Sequence, residues 1–104
     1  MTETQFQISP EDLVALHKCL SSKVCLRIFH IMKRHKRLNV SAISRKAGCG
    51  NKTSVKHLRN MAKLSIIEEE SFSGLHRFAL KRGPFTELID QTVGLLEGKE
   101  ENAL

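Results

Sequence analysis

Two apolar stripes separated by a glycine turn most constrain the fold of this chain. Ser41 can cap the start of a short helix, and Gly48 is typical of the residue that ends one. After Cys49, Asn51 is a good cap for a second helix, whose apolar residues recur every three or four positions. These residues are Val55, Leu58, Met61, Ala62 and Leu64. The pattern predicts two helices joined by a tight turn.

Two further helices are expected before this pair. The segment 9–12, Ser-Pro-Glu-Asp, combines a capping hydroxyl, a proline at the first helical position and two acids near the positive helix end. It predicts a helix that runs to about Leu20. Ser21 and Ser22 offer a new cap for a second helix that ends near His35, and residues 38–40 suit only a turn or a small strand.

A hairpin and a last helix are expected after the pair. Segments 66–71 and 75–81 are strand candidates, and the residues between them, Phe-Ser-Gly, favour a turn. Gly83 and Pro84 then predict the start of a helix. Its apolar side comprises Phe85, Leu88, Ile89, Thr92, Val93 and Leu96.

The 104 residues suit a single domain, since domains of about 100 to 150 residues are the commonest. We expect this domain to span 9–97, with a core at 21–82 and a last helix at 84–97 that is the candidate dimerisation element. The polar tail 98–104 should be frayed. The expected class is α+β, mainly helical: a winged helix-turn-helix with an extra helix at each end.

Charge is distributed very unevenly. Seventeen Lys and Arg oppose eleven Asp and Glu, a formal charge of +6. Residues 13–67 hold thirteen of these cations and no acid. An ordinary solvated surface would intersperse acids, whereas an uninterrupted basic block repels itself unless a polyanion neutralises it. The charge pattern therefore favours nucleic-acid binding.

Several other classes of protein are disfavoured. No stretch approaches the roughly 18 consecutive apolar residues of a membrane span. The usual enzyme motifs for phosphate loops, nucleophile elbows and metalloprotease helices are missing, so we expect neither catalysis nor a cofactor. No secretory pattern opens the chain, and a cytoplasmic location is expected.

Cys19, Cys25 and Cys49 are sparse and lack Cys-x-x-Cys spacing. His17 and Cys19 should lie on different faces of one helix, so no preformed metal site is expected. Cys25 falls in the apolar stripe of the second helix, where a buried cysteine usually acts as a small apolar residue. Metal or redox sensing is the minor alternative, and Cys49 is the thiol expected in the turn.

Residues 21–82 resemble the winged-helix core of ArsR-type and MarR-type transcription regulators, including many small archaeal ones. The residues that carry this resemblance are Val40, Ile43, Ala47, Gly48, Val55, Leu58, Leu64, Ile66 and Ile67. It implies that the helix after the turn enters the major groove of DNA and that the hairpin reaches the neighbouring backbone or the minor groove. The sequence departs from the family at Ser65, where glycine is frequent. It departs also in the wing, whose only basic residues near the tip are His76 and Arg77, flanked by the glutamates at 68–70.

These considerations define a candidate DNA-binding set. Long cations suit phosphates, whereas Asn, Arg and Thr can reach base edges; His57 fits base contact and packing equally well. The predicted set is Ser41, Lys52, Thr53, Ser54, Lys56, His57, Arg59, Asn60, Lys63 and Arg77.

The function expected is sequence-specific binding of double-stranded DNA by a transcription regulator. The alternative is a protein-interaction module in transcription or replication machinery, whose basic face would meet an acidic partner. Two terminal helices with apolar stripes exceed what the core needs, which favours a homodimer. The expected contacts are the N-terminal helix, Phe85, Leu88, Ile89 and Leu96.

Overall fold

The computed structural model describes residues 9–94, which form five helices and one two-stranded antiparallel sheet. In chain order these are α1 (Pro10–Leu20), α2 (Lys23–Arg34), α3 (Val40–Ala47), α4 (Asn51–Lys63), β1 (Ile67–Phe72), β2 (Leu75–Leu80) and α5 (Pro84–Gly94). This order confirms the expected class, a mainly helical α+β winged helix-turn-helix with an extra helix at each end.

The first two helices begin where the capping residues predicted. The Ser9 hydroxyl accepts a hydrogen bond from the Asp12 amide at 3.1 Å, and the Asp12 carboxylate accepts one from the Ser9 amide. Ser22 accepts from the Cys25 amide in the same way, which fixes the start of α2. The chain leaves α2 in an extended conformation at His35, in agreement with the predicted end.

The caps of the next two helices differ from the prediction. Asn39, and not Ser41, caps α3, because its side-chain oxygen accepts from the Ala42 amide at 2.8 Å. Ser41 lies inside the first turn of that helix. Asn51 is the first residue of α4, which follows Gly50 and has no side-chain cap. Gly48 ends α3 as predicted, in the left-handed conformation that glycine adopts without steric cost.

The hairpin is shifted slightly along the chain relative to the prediction. Its register pairs Ile67 with Leu80 and Phe72 with Leu75, and Ser73 and Gly74 turn the chain with positive φ. Leu38 adds a short antiparallel bridge through two backbone hydrogen bonds to Phe78, so the segment 38–40 contributes a single strand-like residue.

The core lies between the helices and one face of the hairpin. Its largest wholly buried side chains include Phe29 of α2, Ile43 of α3 and Leu58 of α4. In α5, Ile89 is wholly buried in the same core. Ile89 therefore cannot contribute to the dimer contacts predicted for it, because its side chain packs against its own domain.

The other residues predicted to form dimer contacts differ in their exposure. Phe85 is half-buried, whereas Leu88 is 45% exposed and faces away from the core. Leu96, the end of the predicted helix 84–97 and the predicted frayed tail 98–104 lie outside the described residues.

Cys19 and Cys25 form a disulfide between the end of α1 and the first turn of α2. The expectation that Cys25 acts as a lone apolar residue is thus wrong in one respect: the side chain is buried, but it is paired. Cys49 is a free thiol. Within residues 9–94, no helix combines the length and the apolar character needed to cross a membrane.

Candidate nucleic-acid interface

Helix α4 presents a polar, basic face to solvent. Leu58, Met61 and Leu64 anchor the opposite face in the core. The exposed side chains of the helix are Asn51, Lys52, Thr53, Lys56, Arg59, Asn60 and Lys63. Most of them, together with Val55, line a surface groove along the helix. The predicted cations thus lie together on one accessible surface, which we call the α4 face.

No salt bridge within residues 9–94 engages a cation of the α4 face, although Glu11 of α1 lines the adjoining cleft with Asn60. Helices α3 and α4 contain no acidic residue. The acids further along the chain pair with cations elsewhere: Asp90 with Lys33 at 2.6 Å and Glu87 with Arg82. The α4 cations are therefore available for an external anion as far as residues 9–94 are concerned.

The turn that precedes α4 is braced by buried polar contacts. The Ser44 hydroxyl donates to Ser54 Oγ at 2.7 Å, and Cys49 Sγ lies 3.1 Å from the same oxygen. Ser54 is 0% exposed, so its side chain cannot reach DNA and its place in the predicted set is wrong. Arg27 of α2 adds a hydrogen bond to the Ala47 carbonyl at 3.0 Å. These contacts hold α4 at a fixed angle to α3.

His57 sits at the edge of the α4 face and is half-buried. Burial lowers the pKa of its imidazole below the ordinary value, and the neighbouring Lys56 lowers it further. The lowered pKa favours the neutral form of the ring, which can offer DNA a hydrogen bond but no charge.

Asn60 lies where the α4 face meets α1. It lines the basic groove, and it also lines a second cleft with Pro10, Val14 and Lys18 of α1. The predicted base-reading residue is exposed, as expected, but its surroundings include the N-terminal helix.

Ser41 and Arg77 both line a cleft between the start of α3 and the wing. They lie there beside Asn39, which the sequence prediction did not include. A signal for Asn39 was present, since asparagine is a favoured helix cap and stands two residues before Ser41. The cleft brings together the two predicted backbone-contacting residues outside α4.

Acids of the wing are largely occupied by cations of this chain. Arg37 Nε donates to Glu70 Oε1 at 2.7 Å, and this hydrogen bond holds the pKa of the Glu70 carboxyl below its usual range. Glu69 pairs with His76 on the next strand. Arg77 lies half-buried opposite Glu70 in the hairpin register. The wing therefore carries far less uncompensated positive charge than α4.

Metal-ligating side chains are dispersed over the described residues. Across 9–94, no three His, Cys, Asp or Glu side chains are grouped closely enough to hold a metal ion. The chemistry available at the interface is hydrogen bonding and charge neutralisation from α4, the turn and the wing cleft.

A helix braced by a preceding short helix, with a basic outer face and a neighbouring hairpin, defines a winged helix-turn-helix domain. No sequence model of a protein family matches the chain, and no characterised protein sequence matches it. Similarity to solved structures is extensive at the level of the fold.

Three of these structures illustrate the similarity. The antimony-specific transcriptional repressor AntR is 18% identical with a TM-score of 0.69, over 94% of this chain and 91% of the repressor. The repressor PagR of Bacillus anthracis is 21% identical with a TM-score of 0.65, over 79% and 93% of the two chains.

The third is a homodimeric winged helix-turn-helix DNA-binding domain from Mycobacterium bovis, described as a possible ArsR-family regulator. It is 16% identical with a TM-score of 0.68, over 90% of this chain and 88% of the other. The fold implied by the sequence resemblance is therefore confirmed.

Proposed function

We propose that this domain binds double-stranded DNA in a sequence-specific manner and regulates transcription as a homodimer in the cytoplasm. The observation that carries the proposal is the α4 face: four cations are exposed on one helix, and none of them forms a salt bridge within the described residues. The cations of such a face repel one another, and a bound polyanion relieves this repulsion.

The dimensions of α4 suit the major groove, which admits one α-helix. Lys52, Lys56 and Lys63 project from the exposed side at spacings that follow a helical turn, where long flexible cations can reach phosphates. Thr53, Arg59 and Asn60 lie among them and carry the donors and acceptors that base edges require. The α4 face thus combines affinity and selectivity in one helix.

A dimer would place two such helices on one duplex. Leu13 and Val14 of α1 and Leu88 of α5 are large apolar side chains that remain exposed in the single chain. Burying them between two copies would remove apolar surface from water. Two-fold symmetry would present the recognition helices to successive major grooves about 34 Å apart. The Mycobacterium bovis domain is described as homodimeric, which supports this arrangement.

Salt dependence tests the proposal directly. With three phosphate contacts per protomer, affinity for a random duplex should fall with salt at a log-log slope of about 5 for the dimer. A protein-interaction module would bind the duplex weakly and with a slope well below 5, because its basic face is not shaped to contact six phosphates. Absence of binding at low salt, or a slope near zero, would overturn the proposal.

Two matched charge reversals test whether the α4 face in particular, and not the net charge, determines DNA binding. Lys56→Glu should abolish most binding, because it places a negative charge on the α4 face. Lys81→Glu changes the net charge equally, but Lys81 lies at the base of the hairpin, where Thr86 donates to its carbonyl oxygen. Equal losses in the two variants would show that only net charge matters.

A further inference from the structure

The Cys19–Cys25 disulfide adds a crosslink between α1 and α2 to the two-residue connection, Ser21 and Ser22, that joins these helices. Cys19 lies in the last turn of α1 and Cys25 in the first turn of α2, with their Cα atoms 5.6 Å apart. Apart from Cys19, the only wholly buried residue of α1 is Leu16. The position of α1 therefore depends on Leu16, on Ala15 and Leu20, which pack partly buried against the core, and on the disulfide.

The position of α1 matters for both features that the proposed function needs. One face of the helix forms a cleft with Asn60 of α4, so α1 lies against the candidate DNA-reading helix. Its outer face carries Leu13 and Val14, which are 45% and 56% exposed and belong to the proposed dimer surface. A shift in the position of α1 would therefore alter the contact with DNA and the contact between protomers at the same time.

We propose that Cys19 and Cys25 are a reversible thiol switch that controls DNA binding through α1, an inference that rests on the proposed function. Disulfides in the reducing compartments where chromosomal DNA is read are typically transient and redox-sensing. The oxidised pair holds α1 in the position described here, which favours the dimer and DNA. Reduction leaves α1 held only by the packing of Leu16, Ala15 and Leu20, and so weakens both dimer contact and DNA contact.

Small-molecule thiols reduce the pair, and hydroperoxides oxidise it again. A small-molecule thiolate attacks Sγ of Cys19, the residue of the pair that is slightly more exposed, at 5% against 1% for Cys25. The disulfide bond breaks and its electron pair leaves on Cys25 Sγ, at the helix end that favours negative charge. A second thiolate attacks the mixed disulfide and releases Cys19, so two external thiols are oxidised to one external disulfide.

A hydroperoxide reverses the reaction. One thiolate attacks the peroxide oxygen to form a sulfenic acid, and hydroxide or alkoxide leaves. The other cysteine sulfur attacks the sulfenic sulfur, the disulfide forms and water leaves. The net reaction consumes two thiols and one hydroperoxide and yields one disulfide, water and the reduced peroxide.

Cys49 provides an internal control because it is separate from the pair. Its thiol lies in the turn before α4, where it contacts Ser54. A Cys49→Ser variant retains a hydrogen-bonding group there and removes the third thiol. Any redox response that persists in this variant comes from Cys19 and Cys25.

The test uses the full chain carrying Cys49→Ser, treated either with dithiothreitol or with one equivalent of hydrogen peroxide. Alkylation and mass spectrometry report the state of the pair, and fluorescence anisotropy with a labelled duplex reports affinity. Reduction should weaken DNA binding by about five- to tenfold, a usual size for coupling between sites, and peroxide should restore it. The melting temperature should fall by about 10 °C on reduction, from the loss of the short crosslink.

A Cys19→Ala/Cys25→Ala variant should bind DNA as weakly as the reduced protein in both buffers. If that variant does not fold, the comparison of the two redox states in the Cys49→Ser protein decides alone. Failure of peroxide to form the disulfide, resistance of the pair to reduction, or equal DNA affinity in both states would each overturn the switch. Equal affinity leaves the proposed function standing, whereas absence of DNA binding in both states overturns the two together.

Discussion

The hydroxyls of Ser44 and Ser54 meet beneath the turn that joins α3 to α4, where Ser44 Oγ donates to Ser54 Oγ at 2.7 Å. Both side chains are buried, so neither hydroxyl can exchange its partner for bulk water. The pair therefore fixes the two helices of the helix-turn-helix by a polar contact inside an otherwise apolar core.

The two hydroxyls of this pair should contribute to stability jointly, so that removing both lowers the free energy of unfolding by less than the sum of the two single removals. Ser54→Ala leaves the buried Ser44 hydroxyl without its acceptor, and we expect a decrease of about 1–3 kcal/mol in the free energy of unfolding. Ser44→Ala should cost less, because Ser54 Oγ keeps its contact with Cys49 Sγ at 3.1 Å. The decrease in the double variant should be clearly less than the sum of the two. Urea unfolding measures all three, with exposed Ser41→Ala as the control. Strictly additive decreases would show that the two hydroxyls are not energetically coupled.

The α4 face should separate specific from general DNA contacts. Asn60→Ala should weaken binding to a preferred site more than binding to random duplex, by about 1–3 kcal/mol, because it removes a base contact. Lys56→Ala should weaken both alike and lower the salt slope by about 1 per protomer, because it removes the partner of one phosphate. Titrations of both duplexes at several salt concentrations check this. If neither variant changes binding, α4 is not the recognition helix.

Assembly should depend on the exposed apolar residues of the terminal helices. Leu88→Glu places a charge in the proposed dimer surface, and we expect a folded monomer with much weaker DNA binding. Leu75→Glu is a matched control, because Leu75 is similarly exposed, at 53%, but lies in the wing. Light scattering at tens of micromolar measures the mass of each protein. A monomeric unmodified protein, or dissociation of the dimer in both variants, would contradict the prediction.

The stability of the domain should decrease as His57 becomes protonated. Because the pKa of His57 is lowered in the folded state, the unfolded chain takes up this proton at a higher pH. The contribution of His57 is fully present above about pH 6.5 and is lost as pH falls from there through the folded pKa. His57→Gln should flatten the dependence of unfolding free energy on pH between about 7 and 5 relative to the unmodified protein. An unchanged pH profile would show that the ring is not desolvated.

Helical spacing predicted most of α4, and residue type misled the prediction at one position. Ser54, Leu58 and Met61 follow the i, i+4, i+7 spacing of a single face, so the geometry alone indicates that Ser54 points inward. A serine in a basic helix suggests a surface contact, and only the partner hydroxyl of Ser44 explains its burial. Ser44 belongs to α3, so the spacing of residues along α4 carries no information about this contact.

The disulfide was hidden for a related reason. Cys19 and Cys25 lie six residues apart across two helix ends, and their proximity depends on the angle at which α1 meets α2. Sequence spacing constrains that angle weakly. At the exit from α4, in contrast, the sequence did indicate the structure: Ser65 stands where the family frequently has glycine, and its backbone has the positive φ that favours glycine.

Ser65 ends α4 with φ of 60°, in the left-handed region that costs a residue with a side chain about 1–2 kcal/mol. Its amide donates to the Ala62 carbonyl and the Ile66 amide to the Met61 carbonyl, the two hydrogen bonds of a Schellman motif. Ser65→Gly should relieve the steric cost at the expense of about 0.5–1 kcal/mol in chain entropy, a net gain of about 0.5–1 kcal/mol.

Ser21→Gly is the matched control, because Ser21 ends α1 with φ of −87° and gains nothing from glycine. Its hydroxyl also donates to the Lys18 carbonyl, so this variant should be less stable by about 0.5–1 kcal/mol. Urea unfolding of the two variants should therefore give shifts of opposite sign. A decrease of stability in Ser65→Gly would show that the serine side chain stabilises the helix exit by more than its backbone conformation costs.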